Sequence, residues 1–375
     1  MKVWIRQSMP YHCQEDGPMP FPVPGWMWDR QLGEQLYADR MRFIRRVDET
    51  GIDGLIFTEH HYGPNGGLTP SPTVMLSAAT QVTQQIKLVT MGISLAMYPH
   101  PVRVAEELAM VDNLSHGRLI VGFMSSGSQN LYSYSIPARE ERGRKEEAYD
   151  LITRAWTDDN PFEWHGEYFN YDCVSILPRP VQVPHPPIWS PVSAVESFQW
   201  CARNHIGAIT SGGVQSCAEG LKFFQDYARD ECAWEATAAD MGIAREFYLA
   251  PTKKKFNEMA ESLFNRDAED AYPHMRDHPD LKALDRERYA VRTYTYRSQG
   301  GGGRAPGGRT MNAIERGTFI AGDPDAVTDQ IIAQQKATGA GVLVIRPEMG
   351  VLTLDEVADE LDLFAKEVLP EIRKL

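Results

Sequence analysis

A glutamate and two histidines that directly follow an apolar run are the residues best suited to chemistry, in Leu55-Ile-Phe-Thr-Glu-His-His-Tyr62. Such a run is typical of a strand buried on both faces, and the polar side chains mark where it leaves the interior. Neighbouring residues of an extended chain point to opposite sides, so at most one histidine can face a pocket. His60 could act there as a donor or general base near neutral pH. The alternative for His60, and the favoured interpretation for His61, is hydrogen bonding to neighbouring loops.

Three other segments place glycine or serine at the end of an apolar run. Segment 91–101 contains a glycine, which permits close backbone approach, together with an aromatic residue and a histidine. Segment 122–128 offers N–H groups and hydroxyls to a polar ligand but lacks the GxGxxG and P-loop patterns. Segment 190–197 enters a helix whose N-terminus could bind an anion. Spacing alone leaves packed loops, turns and helix caps as alternatives, and Arg142 is by default a solvated charge.

The composition argues against several classes of partner. The chain has 375 residues, 42% of them hydrophobic, and 51 acidic against 38 basic side chains give a net charge of −13. This charge disfavours nucleic acid and anionic membranes as partners. The sequence contains no run of about 18 apolar residues that would predict a membrane span, and its start lacks a signal-peptide core. The five scattered cysteines, without CxxC spacing, predict reduced thiols in a cytoplasmic protein with no metal site.

Short apolar runs alternate with segments of helical period, a pattern that predicts an α/β fold, the (β/α)8 TIM barrel. One barrel domain is expected over residues 1–375, with an open doubly wound sheet as the alternative fold. In a parallel barrel the active site lies at the carboxyl ends of the strands. The eight predicted strands are 3–7, 54–58, 86–95, 118–123, 187–190, 208–211, 246–250 and 341–346.

Three insertions interrupt this repeat, at about residues 12–29, 163–187 and 265–312. The first is rich in proline and tryptophan, and the second is predicted to form a hairpin beside the barrel. The third follows the seventh strand and contains Gly300-Gly-Gly-Gly303. Long insertions in a compact domain are usually lids or disordered segments, and a lid is favoured here.

Taken in order, several segments resemble the bacterial luciferase-like flavin-dependent monooxygenases. They are Gly54-Leu-Ile-Phe-Thr-Glu-His-His61, Pro70-Ser-Pro72, the block from His100-Pro-Val-Arg103 through Leu114-Ser-His-Gly-Arg118, and Pro186-Pro-Ile-Trp-Ser190. The resemblance implies an eight-stranded barrel that binds reduced FMN, supplied by a separate flavin reductase. Dioxygen would add to the flavin, and the resulting peroxyflavin would oxygenate a small organic substrate. It also implies that the third insertion is a mobile lid and that the protein is a homo-oligomer, expected to be a dimer.

The resemblance assigns roles to particular residues. His60 matches the family's active-site histidine, and Gly92-Ile93 matches the position of a non-proline cis peptide under the flavin ring. Arg142 and Ser197 match phosphate contacts, whereas Ala194 replaces a phosphate-site serine of luciferase and could offer only its N–H. Met124 and Ser125 stand where luciferase has a cysteine and an arginine. The expected cofactor-binding residues are Gly92, Ile93, Met124, Ser125, Ser126, Arg142, Ser193, Ala194 and Ser197.

Aromatic and apolar residues of the same segments are expected to line the substrate pocket and to favour an apolar substrate. Two other functions remain open. A relative on the same fold could use a deazaflavin for hydride transfer, or the chain could bind a flavin without catalysis. The predicted pocket residues are Tyr11, Met97, Tyr98, Phe123, Tyr132 and Trp189.

Overall fold

The computed structural model describes residues 1–11, 20–63, 67–265, 279–280, 282–284, 311–347 and 352–375. Eleven strands lie within these ranges, and we number them in chain order. They are β1 (Lys2–Gln7), β2 (Gly54–Phe57), β3 (Lys87–Thr90), β4 (Leu119–Gly122), β5 (Phe162–His165), β6 (Asn170–Val174), β7 (Ile188–Val192), β8 (Gly207–Ser211), β9 (Met241–Leu249), β10 (Phe319–Gly322) and β11 (Val342–Arg346).

Eight of these strands close into a parallel barrel in the order β1-β2-β3-β4-β7-β8-β9-β11, with β11 returning to β1. This closure confirms the predicted barrel, and the open doubly wound sheet is wrong. The α-helices of the described ranges are Arg30–Glu49, Pro72–Thr80, Pro101–Leu114, Ser128–Ser133, Glu141–Thr157, Val195–Arg203, Val214–Cys232, Lys253–Asn265, Met311–Glu315, Pro324–Thr338, Leu354–Leu363 and Leu369–Ile372.

The seventh barrel strand is longer than predicted and carries an additional partner. β9 pairs with β8 through its first half and with β10 through its second half, where Phe319 lies opposite Glu246. The prediction placed this strand at 246–250, since Gly242 and Arg245 interrupt the apolar run before it. It omitted β10, which has only four residues. The third strand was predicted too long, because β3 ends at Thr90 and a short 3₁₀ helix covers Leu95–Met97.

Alternation along the strands separates two apolar layers, as a period of two requires. One layer fills the barrel, where the rings of Trp4 and Trp189 meet edge to face at 5.0 Å. The other lies between the barrel and its helices and includes Val3 and Ile5 of β1. The inner layer consists of Trp4, Ile56, Val89, Met91, Ile120, Trp189, Ile209, Val342 and Val344. The side on which any strand residue lies can therefore be read from its register.

The insertions are partly described. β5 and β6 pair antiparallel, which confirms the hairpin predicted within 163–187. Residues 12–19 of the first insertion, and nearly all of the predicted lid at 265–312, lie outside the described residues. None of the described helices is long and apolar enough to cross a membrane.

Candidate functional site

Glu59 and His61 form a buried hydrogen-bond network on the outer side of the strand end. The Nε2 atom of His61 lies 3.2 Å from Glu59 Oε1, which also accepts a 2.9 Å bond from the Tyr98 hydroxyl. Glu59 Oε2 accepts the Ser94 N–H at 2.8 Å, and His61 Nδ1 lies 3.3 Å from the Tyr134 hydroxyl. Burial and the Glu59 carboxylate raise the pKa of Tyr98. These contacts give His61 the loop-binding role that was favoured for it.

His60 lies on the other side of the chain, toward the barrel mouth. Ile56 belongs to the inner layer, so the alternation places Thr58 and His60 on the same inward side. The His60 side chain is half-buried, and its backbone N–H donates to the Thr69 carbonyl at 3.2 Å. The Thr58 hydroxyl is buried without a hydrogen-bond partner in the described part of the chain. Access to the mouth agrees with a catalytic role for His60, which stays a prediction.

The predicted flavin-ring segment packs directly against the end of β4. The Ile93 N–H donates to the Gly122 carbonyl at 2.8 Å, and the Met124 N–H donates to the Ile93 carbonyl at 3.0 Å. A Cβ atom on Gly92 would stand 2.9 Å from Met124 Cβ, so only glycine fits without a shift. The cis peptide joins Met91 to Gly92. The prediction of a cis bond at Gly92-Ile93 is therefore wrong by one peptide bond.

The serines after β4 differ in their accessibility. Ser126 is fully buried, and its N–H donates to Glu141 Oε1 at 2.9 Å. Its hydroxyl is buried with no hydrogen-bond partner among the described residues. Ser125 is half-buried, and Arg142, directly after Glu141, is exposed. No described carboxylate lies within ion-pair distance of Arg142, so its guanidinium is available to a ligand.

The segment after β7 starts a helix without a side-chain cap. Ala194 is the residue before helix Val195–Arg203, and no side chain accepts a hydrogen bond from its first turn. Ser193 and Ser197 are half-buried on either side of this start, and the Ser197 N–H donates to the Ala194 carbonyl at 3.0 Å. Because β4 and β7 are paired, this uncapped helix start lies on the same side of the mouth as Ser125. The sequence prediction of a shared anion site agrees with this proximity.

Two of the predicted pocket residues are placed differently by the strand register. Trp189 faces into the barrel, where it packs on Trp4 as part of the floor. Phe123 is fully buried in the layer outside the barrel and meets the Tyr149 ring edge to face at 6.3 Å. Its prediction as a pocket wall is wrong, since Gly122 takes the inward position.

The remaining predicted pocket residues surround the ends of the first strands. Tyr11 is buried, and its hydroxyl donates to the Met27 carbonyl and accepts the Asp29 N–H, each at 2.7 Å. Met97 is buried in the 3₁₀ helix, and the Tyr132 ring lies 5.9 Å from the Phe21 ring. Their role as substrate contacts stays a prediction.

Three charged residues at the mouth were missed. Arg346 at the end of β11 contacts Glu246 of β9, with Nε 2.9 Å and Nη2 2.5 Å from Oε2. Arg6 lies on the neighbouring strand β1. The signal was the continuation of the inward alternation from Trp4 to Arg6 and from Val344 to Arg346.

Buried ionisable groups were also missed. Lys145 is almost fully buried, with Nζ 4.0 Å from the centroid of the Trp200 ring. Burial lowers the pKa of Lys145, and burial raises the pKa of the neighbouring Cys201 thiol to about 12. No group of three or more metal-binding side chains occurs among the described residues. The four described cysteines are free thiols, and Cys13 lies outside the described ranges.

An eight-stranded parallel barrel with a polar, glycine-containing rim at the carboxyl ends of its strands belongs to the α/β barrel class. Residues 24–341 match the model of the luciferase-like monooxygenases. The chain therefore belongs to this family.

Two curated relatives carry names that describe an activity. The chain is 28% identical over 179 residues to the oxygenase component of a flavin-dependent trigonelline monooxygenase of Acinetobacter baylyi, a match that covers 47% of this chain and 49% of that protein. It is 23% identical over 359 residues to an FMNH2-dependent dimethylsulfone monooxygenase of Pseudomonas putida, covering 93% of this chain and 89% of the relative. The first match spans only about half of the relative's length.

Solved structures show the same fold. The monooxygenase RslO1 from Streptomyces bottropensis superposes with a TM-score of 0.76 at 23% identity, over 99% of this chain and 100% of that one. An F420-dependent secondary alcohol dehydrogenase superposes with a TM-score of 0.68 at 13% identity, over 99% of each chain.

Proposed function

We propose that this chain is the oxygenase of a two-component system that uses reduced FMN and dioxygen to oxygenate a small organic substrate with an apolar body. The observation that carries the proposal is the pairing of β4 with β7. It brings Ser125 and the uncapped start of helix Val195–Arg203 to one side of the mouth. A helix start with free N–H groups is a natural phosphate site.

The residues present fit FMN. Arg142, Ser193 and Ser197 would hold the phosphate, and Arg142 would supply the charge that Ser125 lacks. The Gly92 backbone, packed on Met124, would leave a flat surface for the ring. When bound in its reduced form, FMN supplies the activation of dioxygen. His60, on the inward side, would orient the substrate or move a proton at its imidazole. The buried Glu59–His61 network would hold this strand end rigid and keep water out.

The names of the two curated relatives support this choice of cofactor and reaction. A flavin reductase is the proposed partner, because one relative is named as an oxygenase component. We also propose a cytoplasmic homodimer. Val74 and Met110, which are 66% and 51% exposed on helices Pro72–Thr80 and Pro101–Leu114, provide an apolar surface for it.

The test is an anaerobic titration with reduced FMN and with reduced riboflavin, which lacks the phosphate. Arg142→Met is expected to weaken FMN binding about tenfold, as for loss of one charged hydrogen bond, and to leave riboflavin binding unchanged. Arg139→Met is the matched control, since Arg139 lies on the same segment and is 72% exposed. If neither flavin binds, or if both variants behave alike, the proposed phosphate site is wrong.

A second candidate is a deazaflavin-dependent oxidoreductase. The superposition on the F420-dependent alcohol dehydrogenase favours it, because the same barrel accommodates that cofactor. Competition between FMN and F420 at equilibrium separates the two. Binding of F420 in preference to FMN, with no reaction of the complex with air, would establish the second candidate.

A further inference from the structure

We propose that Arg6 and Arg346 form an anion site inside the barrel mouth that selects an organic substrate with a carboxylate group. The inference rests on the proposed function, since it names the class of substrate that the same mouth takes. It adds a polar anchor to the apolar body expected from the aromatic residues.

Both arginines lie on the inner face of the barrel. In β1, Val3 and Ile5 belong to the outer layer and Trp4 to the inner one, so Arg6 lies inward. The same alternation in β11, with Val344 inward, places Arg346 inward. Ile5 is paired with Ile345, so the two arginines follow each other's partners and are neighbours across the strands. Both occupy the carboxyl ends of their strands, where a barrel binds its substrates.

The arginines outnumber the carboxylates that face them. Glu246 is the one acidic side chain at the described inward strand positions, and it binds only Arg346 through a single oxygen, Oε2. Nη1 of Arg346 has no hydrogen-bond partner among the described residues. The side chains of Arg346 and Glu246 are 16% and 32% exposed, so a ligand in the mouth can reach them. Two guanidinium groups against one carboxylate leave one positive charge over an apolar floor, where electrostatic attraction is strong.

The position separates this charge from the flavin phosphate. In the ring of eight strands, two strands lie on either side between the pair β1 and β11 and the pair β4 and β7. The two pairs are therefore opposite each other across the mouth. A phosphate at the β7 helix start leaves Arg6 and Arg346 to a different anion. A planar carboxylate matches the paired N–H groups of a guanidinium and carries the single charge that the site lacks.

The experiment compares carboxylates with their neutral amides on the FMN-loaded protein. The probes are acetate, benzoate and octanoate, each against its amide, with binding followed by calorimetry and by the fluorescence of the floor residues Trp4 and Trp189. At least one carboxylate is expected to bind about tenfold or more tightly than its amide, as expected for a buried hydrogen bond to a charged group.

Variants assign the preference to the arginines. Arg346→Met and Arg6→Met are expected to weaken the carboxylate about tenfold and to leave the amide unchanged. Glu246→Gln is expected to strengthen the carboxylate, because it removes a competing negative charge. The double variant Arg346→Met with Glu246→Gln avoids an unpaired buried carboxylate and serves if the single variant does not fold. Arg103→Met, at a side chain 71% exposed on the outside, is the control.

Each other outcome overturns the proposal. If no carboxylate is preferred over its amide, the site does not recognise this group. If Arg346→Met weakens FMN and leaves the probes unchanged, the arginines serve the cofactor. An arginine-dependent carboxylate preference in a protein that binds no FMN would support the anion site while the proposed function fails, so the two failures are distinguishable.

Discussion

Glu360 allows a quantitative prediction about stability, because a carboxyl group is buried there with half of its hydrogen-bonding capacity unused. It lies in helix Leu354–Leu363 and is 5% exposed. Its Oε1 accepts the Leu249 N–H at 2.6 Å, whereas Oε2 is buried with no partner among the described residues. Burial raises the pKa of Glu360 well above its ordinary value of 4.5. The folded protein therefore favours the neutral acid.

The sign of the pH dependence follows from this shift. The contribution of Glu360 to stability is complete below pH 4.5, and it is lost as the pH rises through the pKa of the folded state. Within that window each pH unit costs about 1.4 kcal/mol of unfolding free energy. Glu360→Gln keeps the acceptor for Leu249 and removes the titration. The unpaired amide adds a constant penalty of about 1–3 kcal/mol, so the slope, not the level, is diagnostic.

The assay is urea unfolding of the wild type and of Glu360→Gln at several pH values from about 4.5 to 8, the range above the ordinary glutamate pKa. The wild type is expected to lose stability relative to the variant as the pH rises. Glu356→Gln is the control with the opposite sign. Glu356 caps its helix through Thr353, and these hydrogen bonds lower its pKa, so its contribution is lost as the pH falls. A constant difference between wild type and Glu360→Gln at every pH would refute the reasoning.

Three further predictions follow from the packing of the mouth and the helices. His60→Ala should lower substrate-dependent oxygen uptake far more than FMN affinity, and equal losses would reduce His60 to a packing residue. Gly122→Ala should destabilise the fold by about 3 kcal/mol, because the new Cβ would lie 2.0 Å from the Thr90 carbonyl, whereas Gly25→Ala meets nothing within 4 Å. Val74→Glu should halve the mass measured by light scattering if the exposed apolar surface forms a dimer, and an unchanged mass would contradict that role.

Much of the fold is predictable because a parallel barrel requires strands buried on both faces. The apolar runs therefore identified the eight barrel strands, including β2 and β11, without any partner information. β10 was missed because four residues give too short a run. The start of β9 was missed because Arg245 is accommodated on the outer side, where its Nε donates to Gln334 at 2.6 Å.

The site was predictable where a motif carries it and not where three-dimensional register decides. The order of His60, Gly92 and the serine segments identified the rim, and alternation separated His60 from His61. Arg6 and Arg346 were not singled out, since a charge at a strand end resembles a solvated residue until its neighbours are known. Phe123 was misplaced for the same reason.

The central claim is that the side of the mouth between β4 and β7 holds the phosphate of FMN, with the ring over Gly92. A crystal structure of the protein with FMN tests it most directly. The account predicts phosphate oxygens within hydrogen-bond distance of Arg142, Ser197 or the N–H groups that begin helix Val195–Arg203. A phosphate bound beside Arg6 and Arg346, or a flavin outside the barrel mouth, would contradict it.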